Sequence, residues 1–143
     1  MSARLVVLIA EPHAPTRLLA TDALREGWQV NPLPEGEDAV RLTRKIRPAM
    51  LLLSVAPGNP GAALRAARSL KTEANPPRLG LLDRGGRLPD PDDALNTYLA
   101  DGVLIGRFDA DTMRRFAAAL MAAERPIIRG PVERGLLDRI LRR

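Results

Sequence analysis

Ser54 and Glu11 are the residues of this sequence whose positions most favour chemistry, because each follows a predicted buried strand. Ser54 comes directly after the apolar run Met50–Leu53 and before a loop rich in proline and glycine. A short apolar run bounded by such breakers predicts a buried strand. Side chains at the carboxyl ends of parallel strands commonly carry function. A serine hydroxyl could accept a phosphoryl group, and a carboxylate could hold a divalent cation.

The groups that could activate Ser54 are few. A serine nucleophile needs a base or a metal, and no residue at a fixed spacing supplies one, so a small polar residue ending a strand is the simpler interpretation. His13, the single histidine, could act as a base or carry a phosphoryl group, but a lone loop histidine is more typically solvated. Glu11 could pair with Arg107 and fill the same pocket, or the two charges could be solvated separately.

The composition excludes several classes of site. The chain has 143 residues, no cysteine, one histidine and four aromatic residues. It therefore lacks a thiolate site and the usual zinc ligands, and it offers few platforms for stacking on single-stranded nucleic acid. No apolar run has membrane-spanning length and no signal-peptide pattern opens the sequence. We expect a cytoplasmic protein with a single core and no association with membranes.

Apolar runs alternate with helical stripes along the chain, and this alternation predicts the elements that position the candidate residues. The predicted strands lie near residues 4–10, 28–32, 50–53, 79–82 and 103–105. A helical pattern follows each strand, and Asp90 and Asp109 are predicted N-caps of the last two helices. Five βα units in about 120 residues predict an α/β fold, with a doubly wound five-stranded parallel sheet in the order 2-1-3-4-5.

Several short segments together resemble a response-regulator receiver domain, over roughly residues 4 to 124. They are Leu24–Trp28 closing the first helix, Gly36–Ala39 opening the second, Arg47–Pro48 before the central strand, the Pro57–Gly61 loop, and Gly102–Ile105 before the last helix. The resemblance implies the flavodoxin-like receiver fold. We accordingly assign residues 1–124 to a receiver-like domain.

The resemblance also implies where the phosphorylation site of this family would lie. Receivers hold Mg²⁺ with two acidic residues after the first strand and an aspartate after the third, and that aspartate accepts the phosphoryl group. A Thr or Ser after the fourth strand and a Lys after the fifth contact the phosphoryl oxygens. The matching residues here are Glu11 and Pro12, Ser54, Leu82 (or Asp83 if the register slips by one), and Gly106 with its neighbour Arg107. These departures imply a degenerate receiver, or pseudo-receiver, with no metal, no cofactor and no catalytic residue.

Residues 125–143 are predicted to be a linker and a basic amphipathic helix, which form a C-terminal extension. The segment carries a net charge of +4 out of +5 for the whole chain, and Pro126, Gly130 and Pro131 mark the linker. Its apolar stripe consists of Val132, Leu136, Leu137, Ile140 and Leu141. A helix this short is marginal alone in water, so we expect it to dock on its own domain, on a partner or on a second copy. An anionic membrane is the less favoured alternative, because the helix is short and lacks large aromatic residues.

These observations lead to one favoured function and two alternatives. The favoured function is a non-enzymatic protein-interaction module of bacterial two-component-type signalling. Such a module would bind a kinase, a receiver, an effector or a second copy of itself as a dimer, without phosphoryl control. The first alternative is an atypical phosphoacceptor in a phosphorelay. The second is a small nucleic-acid-binding regulator that acts through its Arg-rich tail, which the short helix disfavours.

Overall fold

The strands form one parallel sheet. A computed structural model describes residues 4–34 and 37–130, and in it six strands lie side by side in the order β2-β1-β3-β4-β5-β6. The strands are β1 (Leu5–Ala10), β2 (Trp28–Leu33), β3 (Met50–Ser54), β4 (Arg78–Asp83), β5 (Gly102–Ile105) and β6 (Ile127–Arg129). The helices are α1 (Ala14–Leu24), α2 (Glu37–Ile46), α3 (Pro60–Lys71), α4 (Pro91–Asn96) and α5 (Ala110–Met121). The predicted doubly wound α/β fold is confirmed, with one strand more than expected.

Two aliphatic cores, one on each face of the sheet, hold the layers together. Side chains alternate along a strand, so Leu52 of β3 faces α1 and α5, whereas Leu53 faces the opposite layer of α2, α3 and α4. The central strands are buried on both faces, which is why they read in the sequence as continuous apolar runs. Phe116 lies fully buried in the core beneath α5.

The predicted N-caps of α4 and α5 are both present. Asp90 accepts a hydrogen bond from the backbone N–H of Asp92 at 3.0 Å, and Asp109 accepts one from Thr112 at 2.8 Å. Each carboxylate thus satisfies a backbone donor that the first turn of a helix leaves free. Ala94, Leu95, Tyr98 and Leu99 recur at helical spacing in the sequence, but the helix ends at Asn96. Three residues further on, Leu99 has a left-handed backbone with φ of 66°, so the apolar pattern extends beyond the helix.

The sixth strand corrects the sequence interpretation of residues 125–129 as a linker. Pro126 accepts a hydrogen bond from Val103 N at 2.9 Å, and Gly130 N donates to Ile105 O at 2.8 Å, so the segment pairs with β5 along its length. Ile128 packs against the core beneath α1 and α5. The prediction failed because proline and glycine bracket only three strand residues, and pairing with β5 outweighs that local signal. The tail helix predicted at residues 132–141 lies outside the described residues.

Gly130 provides a direct test of this strand. A Cβ atom at residue 130 would collide with the backbone carbonyl of Arg107. We expect Gly130→Ala to lower the free energy of unfolding by about 1–3 kcal/mol, because backbone must move to admit the methyl group. Urea denaturation followed by circular dichroism measures this. Gly58→Ala is the control, since nothing lies within 4 Å of its Cβ position; equal stability of the two variants would contradict the packing of β6.

Candidate functional site

The candidate site lies at the carboxyl edge of the sheet, where the sequence predicted it. Ser54 ends β3 and pairs with Leu82 of β4, and Asp83 of β4 pairs with Ile105 of β5. Glu11 follows β1, and its N–H donates to Leu33 O of β2 at 2.9 Å. Parallel pairing therefore brings the ends of all these strands to one edge.

Glu11 is turned toward its own loop. Its side chain is buried, with 2% of the residue exposed. Oε2 accepts a hydrogen bond from the backbone N–H of His13 at 3.2 Å, and the backbone carbonyl of Glu11 accepts one from Arg17 Nη1 at 2.8 Å. Oε1 has no hydrogen-bond partner among the described residues. The carboxylate therefore stabilises the β1–α1 loop through Oε2, whereas Oε1 accepts no hydrogen bond from the described residues.

The proposed ion pair between Glu11 and Arg107 is wrong. Both residues are described, and no ion pair within 4.0 Å joins them. The strand order explains this, because β3 and β4 lie between β1 and β5. Three strand spacings separate the two loops by about 14 Å, and Glu11 already points to His13.

His13 has a structural role that the sequence did not reveal. It is the N-cap residue of α1, and its Nδ1 accepts a hydrogen bond from the backbone N–H of Thr16 at 3.3 Å. The hydroxyl of Thr16 lies 2.6 Å from the same nitrogen. A histidine engaged in this way supplies the acceptor that Ser, Asn or Asp usually provides at an N-cap.

Asp83 organises two loops at once. It is 1% exposed, and its carboxylate accepts hydrogen bonds from the backbone N–H groups of Arg87 at 2.8 Å and Leu88 at 2.9 Å. Its backbone carbonyl accepts from Gly86 at 3.2 Å and from Gly106 at 2.9 Å. One residue thus fixes the β4–α4 loop and the start of the β5–α5 loop.

Leu82 and Asp83, the two positions that match the family's Thr or Ser, face opposite sides of the sheet. Leu82 is buried with the residues beneath α1 and α5. The carboxylate of Asp83 accepts a hydrogen bond from the backbone N–H of Leu88, and Leu88 belongs to the core on the opposite face. Neither Leu82 nor Asp83 has a hydroxyl. The carboxylate of Asp83 already accepts hydrogen bonds from two backbone N–H groups.

Gly106 stands where the family has its Lys, and the backbone there is of a type that favours glycine. Its φ is 83°, in the left-handed region that residues with a Cβ adopt at a cost. Arg107, the neighbouring cation, is exposed and contributes to a groove of about 420 Å³ together with His13, Arg84 and Phe108. Arg107 therefore lies on the face of the sheet that carries α1.

Two of the predicted pocket residues, Pro12 and Ser54, are brought together in a different cavity. This cavity, which we call the switch-point cavity, has a volume of about 380 Å³ and lies beside the ends of β1 and β3. Its floor includes Ala10 and Leu53, and its walls include Val40 of α2 and Ala63 of α3. The seven residues predicted to form one pocket are thus divided. Pro12 and Ser54 line the switch-point cavity, Arg107 lines the groove with Arg84, and Leu82 lies in the core. The other three belong to separate loops: Glu11 to the β1–α1 loop, Asp83 to the β4–α4 loop and Gly106 to the β5–α5 loop.

The described residues offer no evident metal site and no membrane span. Within 4–34 and 37–130, no group of three or more His, Cys, Asp or Glu side chains is placed to hold an ion. A search of the same residues for a helix with the length and apolarity needed to cross a bilayer finds none.

Comparison with solved structures shows that this is the fold of response-regulator receiver domains. A protein from Chloroflexus aurantiacus assigned as a response regulator aligns with a TM-score of 0.71 and 18% identity, over 84% of this chain and 99% of that one. The chemotaxis response regulator CheY4 of Vibrio cholerae aligns at 0.69 and 16%, over 82% and 99%. A receiver domain from Bermanella marisrubri aligns at 0.65 and 22%, over 83% and 99%.

The predicted receiver fold is therefore confirmed. A scan against protein-family models and a search of curated protein sequences each return no match.

Sequence reasoning missed the residues that line these cavities. Asn59 and Ala62 line the switch-point cavity, and Arg84 and Thr16 line the groove on the other face. The spacing of Ala62, Ala63 and Ala66 places three small residues together on α3, which was a usable signal. The Arg84 signal was weaker, because a single arginine in a glycine-containing loop has no periodicity.

The role of Asp83 can be tested directly. Asp83→Asn removes the charge and one of the two acceptor oxygens, which leaves a buried backbone N–H unpaired. We expect the free energy of unfolding to fall by roughly 1–3 kcal/mol, and the amide protons of Arg87 and Leu88 to exchange faster with solvent. Asp22→Asn is the matched control, because that carboxylate is 57% exposed and lies 3.6 Å from Arg25. The control should change stability by less than about 0.5 kcal/mol, and an equal effect in the two variants would refute the bracing role of Asp83.

Proposed function

We propose that this chain is a protein-interaction module of two-component-type signalling that works without phosphoryl transfer. The fold supports the signalling context, because similar structures carry response-regulator names. The residues of the site support the proposed absence of phosphoryl transfer. Phosphoryl transfer in such a pocket requires several oxygen ligands for a metal and a cation on the phosphoryl group.

The observation that carries the proposal is the combination of Glu11 and Gly106. The single carboxylate after β1 is bonded to the N–H of His13, and no second carboxylate stands beside it because residue 12 is proline. The position of the family's Lys has a left-handed glycine, with φ of 83°. Restoring a Lys at that position would strain the backbone. The proposed loss of the phosphorylation site therefore involves the backbone at Gly106 as well as the side chains.

A phosphodonor experiment tests this proposal. Incubation with acetyl phosphate and Mg²⁺ should leave the mass of the protein unchanged, because no cluster of acidic side chains among the described residues is placed to hold a metal that would activate Ser54. Millimolar Mg²⁺ should also leave the melting temperature unchanged, since a cation stabilises a protein only by binding its folded state. The control is a receiver domain from another protein that gains the mass of one phosphoryl group under the same conditions. An adduct mapped to Ser54 or His13 would favour the atypical phosphoacceptor instead.

The contact itself is proposed to involve the C-terminal tail, residues 131–143, which follows Gly130 in the sequence. Gly130 N is bonded to Ile105 O at the carboxyl end of β5, so the tail starts at the same edge as the candidate site. The tail stripe from Val132 to Leu141 gives it an apolar face. Burial of one such side chain stabilises a contact by roughly 1.5–3 kcal/mol. We propose that this stripe docks a signalling protein or joins two copies of the chain.

Charge-matched variants separate an apolar contact from an electrostatic one. Leu137→Asp with Leu141→Asp should weaken self-association or partner binding at least about a hundredfold, because two buried leucines are lost. Arg134→Gln with Arg139→Gln changes the net charge by the same two units and should leave the contact intact. Light scattering after size exclusion gives the mass, and circular dichroism checks folding. Wild-type mass and binding in the leucine variant would contradict the proposal, whereas loss in the arginine variant alone would favour an anionic partner such as nucleic acid.

A further inference from the structure

Small side chains make up most of the described lining of the switch-point cavity. Of the ten lining residues that the structure describes, five are alanines, contributed by β1, the β3–α3 loop and α3. Its volume of about 380 Å³ equals that of about a dozen water molecules in the liquid. Clefts of this size are typical of small-molecule sites.

The cavity lies between α2 and α3. An ion pair connects the two helices near their C-terminal ends, and small side chains leave space between their N-terminal ends. Arg44, late in α2, pairs with Glu73 just beyond α3, with Nε and Oε1 2.6 Å apart. Toward the other ends of the helices, Val40 of α2 faces a wall that includes Ala63 and Ala66 of α3. A larger residue at any of the alanine positions would fill the space, because each methylene of a side chain occupies volume that a close-packed interior would otherwise use.

Among the residues that the structure describes, the lining contains no ionisable side chain. Its polar residues are Ser54 and Asn59, and the amide of Asn59 makes no capping hydrogen bond to α3 although the residue is its N-cap. An ion entering the cavity would lose hydration without gaining a charged partner, which is costly. An uncharged molecule would instead displace water from alanine methyl groups, which is favourable, and could bond the free amide.

We propose that the switch-point cavity binds a small, uncharged and largely apolar molecule that carries one hydrogen-bonding group. The position supports this, since ligands of doubly wound sheets bind at the carboxyl ends of strands where the strand order reverses, here between β1 and β3. Such a molecule would contact α2, the β3–α3 loop and α3 together. Its binding would supply an input to the domain that does not depend on phosphate at Ser54.

Indole, phenol and cyclohexanol are suitable probes, because each is uncharged, compact and apolar with one polar group. Titration of the full-length, isotope-labelled protein by NMR should give saturable shifts that concentrate at the amides of Ala56, Asn59 and Ala63 with at least one probe. Indole-3-carboxylate, an anion of similar shape, should bind at least about tenfold more weakly than indole. Absence of saturable binding below about 5 mM for all three uncharged probes would overturn the proposal.

Filling variants locate the site. Ala66→Leu inserts three carbon atoms into the cavity from a half-buried position, and Ala62→Leu does so from the exposed rim; both should weaken the binding at least about tenfold. Ala118→Leu, on the exposed surface of α5, is the control and should bind as wild type does. Unchanged affinity in both filling variants would place the probe elsewhere and overturn the assignment.

The chain's own tail is the competing occupant, and the leucine variant described above distinguishes it. If Leu137→Asp with Leu141→Asp shifts the amides of Ala56, Asn59 and Ala63 without any probe, the tail fills the cavity and the small-molecule proposal fails. If those amides keep their wild-type positions and the variant still binds indole, the small-molecule site stands whether or not the tail contacts a protein partner.

Discussion

The hydrogen bonds of Asp83 are the constraint on which the carboxyl edge of this sheet depends. A buried carboxylate is stable only when its charge is met by donors, and here two backbone N–H groups of the β4–α4 loop meet it. The carbonyl of the same residue holds Gly106. The two loops that border the candidate pocket are therefore tied to a single strand end. An arrangement of this kind favours one loop conformation over the alternatives that a switching protein would need.

β6 provides the second constraint on the carboxyl edge of the sheet. Gly130 lies against the carbonyl of Arg107, with no room for a side chain between them. The β5–α5 loop is thus held by Asp83 on one side and by Gly130 on the other. Its left-handed glycine and its outward-facing arginine are consequences of that position. The conformation of Gly106 and the pairing of β6 with β5 are therefore linked through the backbone of one loop.

The sequence was sufficient for the fold because its strongest signals are local and repeated. Continuous apolar runs such as Val7–Ala10, followed by helical stripes, permit few arrangements other than a covered parallel sheet. The failures have non-local causes. Residues Ile127–Arg129 form a strand only because β5 offers a partner, and α4 ends at Asn96, three residues before the left-handed Leu99. The pairing of Glu11 with Arg107 failed because two strands lie between theirs in the sheet, a separation that no sequence spacing reveals.

The two outer strands of the sheet have a consequence for how the protein meets other molecules. β2 and β6 form the borders; β2 contains Pro32, and β6 is three residues long and is preceded by Pro126. Pro32 lacks the N–H that a further strand beside β2 would need, and the three residues of β6 offer little main chain to bond. Recruitment of a neighbouring chain by sheet extension is therefore disfavoured on both sides. For the described part of the chain, contacts are then expected from side chains of helices and loops, whose residue types can change while the sheet stays the same.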